Sequence, residues 1–254
     1  MARPIAMVTG ASSGIGTVFA RRLARDHDLV LVARRMDRLQ TLAEELRAGC
    51  GAAVEPLQAD LTDENDLRKV EERIAAEARL ALLVNNAGFG TRGLFWKLPL
   101  EDHVRMHRLH IDATLRLSYA ALRGMVERNA GGIVNVASVA AFVRRTGSTN
   151  YGATKCWMAA FTESLYLELK SVGSAVKVQA LCPGFTQSEF HEVLQLDRKS
   201  IAPRWAWLSA ERVVDDSLKG LAQGKLFVVP GWQYKAVVAL LSTMPNWLRV
   251  AVSK

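Results

Sequence analysis

Cysteine is scarce. The three in this 254-residue chain, Cys50, Cys156 and Cys182, lie far apart and match neither a CxxC nor a zinc-ligand spacing, so no disulfide framework and no metal site is expected. Such usage fits reduced thiols in a cytoplasmic protein. Long apolar runs are also missing. The longest near the C-terminus is 236–241, far short of the roughly 20 residues that a membrane-spanning helix needs. The apolar segment 5–9 follows the N-terminus almost at once and ends in a glycine loop, not in a small-residue cleavage site, so no signal peptide is expected. No internal repeat, low-complexity tract or Gly/Ser/Pro-rich linker interrupts the chain. Residues 1–254 are therefore read as one domain, with half of the residues apolar and a sizeable core to build.

The formal net charge is +8, which rewards a nucleic acid, an anionic membrane surface or a phosphorylated ligand alike. The basic residues are scattered, with doublets such as Arg21-Arg22, Arg34-Arg35 and Arg144-Arg145 but no basic stripe interleaved with aromatics. Nucleic acid is not expected as a partner.

Short β-branched runs alternate with stretches of helical period, the pattern of a parallel sheet covered on both faces. Seven strands are predicted, at 5–9, 29–33, 54–58, 82–85, 133–138, 176–182 and 227–229. Helices are expected to begin near Gly14, Arg38, Asp63, Leu100, Tyr151 and Ala210, with Asp37 and Thr62 as N-caps and Gly49 as a helix stop. Two segments, 185–209 and 231–254, break the rhythm, and both carry tryptophan.

Directly after the first strand stand Gly10, Ser12, Ser13, Gly14, Ile15 and Gly16, opening a helix. Glycines suit a sharp turn whose backbone must approach a pyrophosphate seated on the free N–H groups of a helix start. Strand, loop and helix in this order read as a dinucleotide site. At the end of the second strand, where an NAD site would carry an acid for the ribose 2′-hydroxyl, the chain has Arg34 and Arg35. A guanidinium forks onto a 2′-phosphate. NADP(H) is therefore preferred and NAD(H) is the second choice, with Arg34 favoured over Arg35 as the phosphate ligand.

Tyr151 and Lys155 are four apart at the head of a predicted helix, so they share a face. Ser138 ends the fifth strand, and ligands of such sheets lie outside the carboxyl ends of the strands. A phenol with an ordinary pKa near 10 is a proton donor at neutral pH. A lysine cation at about 4 Å contributes roughly 4 kcal/mol in an effective dielectric near 20, before desolvation, and is expected to bring the phenol toward working pH. Ser138 is positioned to hydrogen-bond the substrate oxygen.

With these residues in place, the chain resembles the short-chain dehydrogenase/reductase family from about residue 3 to about 230. The TGxxxGxG loop appears at 9–16, NNAG at 85–88, the serine at Ser138, YxxxK at Tyr151 and Lys155, and PG at Pro183-Gly184, followed by Thr186. The resemblance implies a Rossmann-type, doubly wound, seven-stranded parallel sheet with helices on both faces. It implies Asp60 and Leu61 beside the adenine, and Asn86, Ala87 and Gly88 lining the cofactor groove. Pro183, Gly184 and Thr186 would hold the nicotinamide end, and Lys155 would also bind its ribose. A homodimer or homotetramer paired through helices at 100–129 and 151–171 is implied as well. One position departs from the family. The usual asparagine of the fourth helix, whose main-chain carbonyl holds a relay water, aligns with His110, which would keep the relay through its backbone or itself shuttle protons. His103, His107 and His110 share a helical face, but metal-free hydride chemistry accounts for the constellation and no metal is expected.

The segment 185–209, with Phe185, Phe190, Trp205 and Trp207, reads as a substrate lid over an apolar or bulky carbonyl or alcohol, or as packing against the core. The tail 231–254 reads as core packing or as an amphipathic contact with a membrane surface. The expected function is an NADPH-dependent carbonyl reductase or alcohol dehydrogenase. The alternatives are a catalytically weak NADP-binding sensor and a membrane-peripheral binding protein.

Overall fold

The computed structural model describes residues 2–187, 203–245 and 247–248. Most of the segment expected to form a lid, 188–202 with Phe190, lies outside the described residues, as does 249–254 of the tail. In chain order the elements are β1 (Ile5–Thr9), α1 (Gly14–Leu23), β2 (Asp28–Ala33), α2 (Met36–Cys50), β3 (Val54–Gln58), α3 (Glu64–Ala75) and β4 (Leu80–Asn85). There follow α4 (Leu100–His107), a π-helical turn (Arg108–Asp112), α5 (Ala113–Glu127), β5 (Gly132–Val136) and α6 (Thr149–Ser171). Then come β6 (Lys177–Leu181), α7 (Ala210–Ala222), β7 (Phe227–Val228) and α8 (Trp232–Thr243).

The seven strands form one parallel sheet in the order β3-β2-β1-β4-β5-β6-β7. The expected doubly wound sheet is therefore present. Alternate residues of each central strand feed opposite cores: Ala6 and Val8 meet α1, α2 and α7 through Phe19, Leu39 and Val213. Ile5 and Met7 meet α3 and α5 through Val70, Leu117 and Met125. Burial on both faces explains why these strands read as unbroken apolar runs.

Element ends differ from the sequence reading by small steps with identifiable causes. Thr62 does not cap α3, because its hydroxyl is spent on Asp60 Oδ1 at 2.7 Å. Asp63 caps instead, accepting from the Asn65 and Asp66 N–H groups at 3.0 Å. Asp37 falls inside the first turn of α2, whose flanking residue is Arg35. Gly49 is helical, and the stop is Gly51, whose φ of 63° is the left-handed conformation that ends a helix.

Candidate active site

Strand order reverses between β1 and β4, and a crevice opens beyond their carboxyl ends. The Thr9 hydroxyl joins the two strands there, accepting from the Asn86 and Ala87 N–H groups, each at 3.0 Å. The Asn86 amide donates to Thr9 O at 2.9 Å. The following turn is too tight for side chains. A Cβ on Gly16 would stand 2.2 Å from Gly10 O, and Gly10 itself has a φ of 65°. The result is a backbone cradle leading into the start of α1, where free N–H groups suit a pyrophosphate.

Ser12, Ser13, Gly14 and Ile15 line a cavity of about 1320 Å³ that continues past Arg34, Arg35, Asp60 and Leu61 at one end. It passes Asn86, Ala87 and Gly88 and reaches Ser138, Tyr151, Lys155, Pro183, Gly184 and Thr186 at the other. Gly16 and His110 stand behind this wall. The two arginines differ in setting. Arg35 Nε donates to Ser12 Oγ at 3.2 Å, buttressing the glycine turn. Arg34 is 63% exposed and lies 3.9 Å from Asp60 Oδ2, which Arg105 also approaches at 3.5 Å. Burial pushes the Asp60 carboxyl up, but the Thr62 hydrogen bonds and the two guanidiniums outweigh it and hold the acid below its usual range.

Ser138 caps a short turn after β5, accepting from the Ala140 N–H at 3.1 Å, and its hydroxyl also hydrogen-bonds Tyr151. Lys155 is buried, and its ammonium donates to Val136 O at 2.7 Å. The sequence led us to expect lysine to bring the phenol toward neutral pH. Instead burial dominates and pushes Tyr151 up to about 12, against a smaller opposing effect of the Ser138 hydrogen bond. The ammonium, anchored on that carbonyl, lies 5.8 Å from the tyrosine ring centroid and is itself pushed down to about 8 by burial.

The three histidines that share a helical face diverge. His103 meets Phe95 O at 3.2 Å, His107 meets Asn150 Oδ1 at 2.7 Å, and His110 meets Thr154 Oγ1 at 2.9 Å. His110 is fully buried within the π-helical turn, which closes as the Ala113 N–H bonds back five residues to Arg108 O. Its tautomer follows from its partners. The Thr154 hydroxyl proton goes to Tyr151 O at 2.9 Å, so Nδ1 must donate, and Nε2 accepts from the Phe89 N–H at 3.2 Å. Burial, then Lys155 and His107, lower its pKa well below the ordinary 6.5. A neutral imidazole with both nitrogens engaged is a poor proton shuttle, and of the two roles read from the sequence this geometry suits the backbone relay better.

Two further groups shape the site, one built on the first asparagine of the NNAG motif and one with no motif to announce it. Asn85 donates to Asn135 Oδ1 at 2.9 Å and to Ser118 Oγ at 3.1 Å, and Asn135 donates to Thr162 Oγ1 at 2.9 Å. This buried polar ladder fixes α6, and so Tyr151 and Lys155, against the sheet. Tyr234 of α8 accepts from the Phe185 N–H at 3.0 Å and donates to Ala206 O at 2.5 Å. Its ring lies on Gly184, where a Cβ would stand 2.1 Å from the ring. At least this part of the tail is core packing.

A cavity of this build belongs to the oxidoreductases that work with nicotinamide nucleotides. Comparison with known proteins makes the family specific: residues 4–199 match the short chain dehydrogenase model, and the chain belongs to that family. It is 33% identical to an uncharacterized oxidoreductase of Myxococcus xanthus over 98% of this chain and 96% of that one. A short-chain dehydrogenase from Sphingobium yanoikuyae, solved in complex with NADPH, is 37% identical and superposes with a TM-score of 0.86 over 96% of this chain and 97% of its own. A bulky-bulky ketone specific alcohol dehydrogenase from Comamonas testosteroni is 33% identical, with a TM-score of 0.81 over 97% and 96% of the two chains. The protein is thus an oxidoreductase acting on small molecules. Among the described residues no helix is long and apolar enough to cross a membrane.

Proposed function

We propose that the protein is a single-domain, NADPH-dependent carbonyl reductase, or alcohol dehydrogenase in the reverse direction, acting on an apolar ketone, acyl or alcohol carbon. The observation that carries this reading is the shared cavity. The glycine cradle and the Arg34–Arg35 end open onto the same space as Ser138, Tyr151 and Lys155. The glycine turn fits a dinucleotide, since side chains there would fill the cradle. When bound, the reduced nicotinamide supplies the hydride.

The chain's own groups manage position and proton. Arg34 supports a choice of NADP(H) over NAD(H), being exposed and only loosely paired. Lys155, fixed at Val136 O, is within reach of a ribose, and Ser138 donates to the substrate oxygen as charge develops there. With its pKa pushed up to about 12, Tyr151 keeps its proton at neutral pH, the state required to protonate an incipient alkoxide. His110 acts as a positioning residue, joining the Phe89 loop to Thr154 one turn from Tyr151. Phe89, Val143, Trp157, Phe185 and Trp205 along the wall support an apolar substrate.

Exposed Leu115, Tyr119 and Val126 on α5 and Leu167 on α6 support a homodimer or homotetramer paired through these helices. Exposed Trp232, Leu240 and Trp247 support a peripheral membrane contact as a second property of the tail. Three free thiols are compatible with a cytoplasmic setting. The deciding experiment is a carbonyl panel followed by loss of NADPH absorbance, with Tyr151→Phe as control. Turnover by the wild type and its loss in the variant are expected. A wild type inert across the panel, yet binding NADPH, would favour the sensor alternative.

A further inference from the structure

The outer rim of the cavity carries positive charge that the nucleotide end does not use. Arg144 and Arg145 stand in the loop between the Ser138 turn and α6, and Arg92 stands in the loop after β4. All three are exposed and line the cavity that holds Tyr151. The Gly93 N–H donates to Gly147 O at 3.1 Å, which fastens the two loops together and gathers these arginines on one side of the mouth. They are a separate set from Arg34 and Arg35. The β2 end and the β5 end are three strand spacings apart, roughly 14 Å.

Several of the chain's arginines are neutralised by carboxylates, whereas others, Arg3, Arg47 and Arg128 among them, donate to backbone carbonyls. Arg21 faces Glu45, Arg22 faces Asp215, Arg73 faces Glu55, and Arg116 faces Glu64 and Glu71. At the rim, no carboxylate meets any of the three among the described residues. Arg144 is held in place, donating to Ala141 O at 3.3 Å, Phe142 O at 3.2 Å and Cys156 Sγ at 3.5 Å. The Arg145 guanidinium reaches over the Phe185 ring, 5.6 Å from its centroid, and so leans from the Tyr151 side of the mouth toward the Gly184 side. The same cavity is lined by apolar Val143, Phe185 and Trp205, with Thr146, Ser148, Thr149 and Gln233 among its polar residues.

We propose that the substrate carries a carboxylate at the end remote from its reacting carbon, held by Arg145 and Arg92 at the rim while its apolar body lies along that apolar lining. This rests on the carbonyl-reductase reading and names the substrate class for it: apolar ketones or alcohols with an anionic terminus. An arginine fork matches a carboxylate, and a mouth that excludes part of the solvent raises the value of the pair above that of an open surface bridge.

The test is a homologous series of phenyl ketones whose alkyl arm ends in a carboxylate, compared with the matching methyl esters. Binding to the NADPH-saturated protein is measured by calorimetry and turnover by absorbance, for the wild type and for Arg92→Ala/Arg145→Ala. At the arm length that spans cleft to rim, the acid should bind roughly tenfold more tightly than its ester, a preference that salt weakens and the double variant removes. Equal binding of acid and ester throughout the series, or a preference surviving the double substitution, overturns the proposal. So does an equal loss of NADPH affinity in the variant, which would make the arginines cofactor-steering groups. If esters and acids are reduced equally well, the carboxylate site fails and the reductase reading stands. If the acid binds by way of the arginines but nothing is reduced, the outcome is the reverse.

Discussion

Replacing Arg34 and Arg35 one at a time separates two roles that adjacent arginines could share. On the proposed NADP(H) reading, Arg34→Ala would remove a charge-assisted contact to the 2′-phosphate. For a guanidinium that is 63% exposed, the lower end of the usual range applies, about 1.5 kcal/mol, or roughly tenfold in affinity. NADH has no such phosphate, so the ratio of kcat/KM with NADPH to that with NADH should fall about tenfold while the NADH value holds. Arg34→Asp adds repulsion of about 1 to 4 kcal/mol at about 4 Å, depending on the local dielectric, and should bring the total swing to a hundredfold or more. Loss of fold is not a competing explanation. The Arg34–Asp60 pair spans 3.9 Å in solvent and contributes little, and Asp60 keeps Arg105 and Thr62. Arg35→Ala instead frees Ser12 and loosens the glycine turn, so both cofactors should weaken together. Steady-state kinetics with each nucleotide, alongside a thermal melt, provide the readout. An unchanged ratio in Arg34→Ala with a collapsed ratio in Arg35→Ala would refute the assignment, and no change in either would remove the 2′-phosphate from this end of the cavity.

Tyr151→Phe should lose turnover by several orders of magnitude while fluorescence titration finds NADPH affinity nearly intact; substantial residual turnover would defeat the proton-donor role. His110→Leu strands the Phe89 N–H in the interior, at a cost of about 2 kcal/mol or roughly 4–8 °C in Tm, and should lower kcat more than it raises KM. His110→Gln, whose Oε1 reaches about as far as Nε2 and can still accept that hydrogen bond, should recover most of both losses. A histidine held neutral stabilises the fold fully above its ordinary 6.5 and progressively less as pH falls below it, because the unfolded chain then takes up the proton more readily. Urea midpoints should therefore decline more steeply between pH 6.5 and 5 in the wild type than in His110→Gln, and parallel curves would contradict the neutral assignment. Co-sedimentation with anionic liposomes, compared between the wild type and a Trp232→Ala/Trp247→Ala variant, checks the membrane contact. Equal recovery in the supernatant rules it out.

The strand pattern and the glycine turn were legible because each rests on a strong local constraint. Strands buried on both faces leave short runs with few polar breaks, and a Cβ at residue 16 has nowhere to go. The pairing of Ser138, Tyr151 and Lys155 followed from their placement at strand and helix ends. What escaped depends on surroundings that no local pattern carries. The phenol's resistance to ionisation is set by how deeply it is packed, against the opposing hydrogen bond of Ser138. The tautomer of His110 is set by Phe89 and Thr154, which lie 21 and 44 residues away along the chain. Tyr234 lies in a segment read chiefly for its tryptophans, and only the folded chain brings it onto Gly184. Helix ends shifted where two capping residues competed, as Thr62 and Asp63 did.

The seat of Tyr234 divides the substrate wall into a part that can be altered one residue at a time and a part that cannot. Its ring occupies the volume that any side chain at residue 184 would need, and its hydroxyl clamps two backbone segments, so changes at 184 and 234 must arrive together or not at all. Trp205 and Val143 carry no such obligation. Adaptation of this protein to new substrates, in nature or at the bench, is therefore channelled through the rim, with Gly184 and Tyr234 kept as a pair.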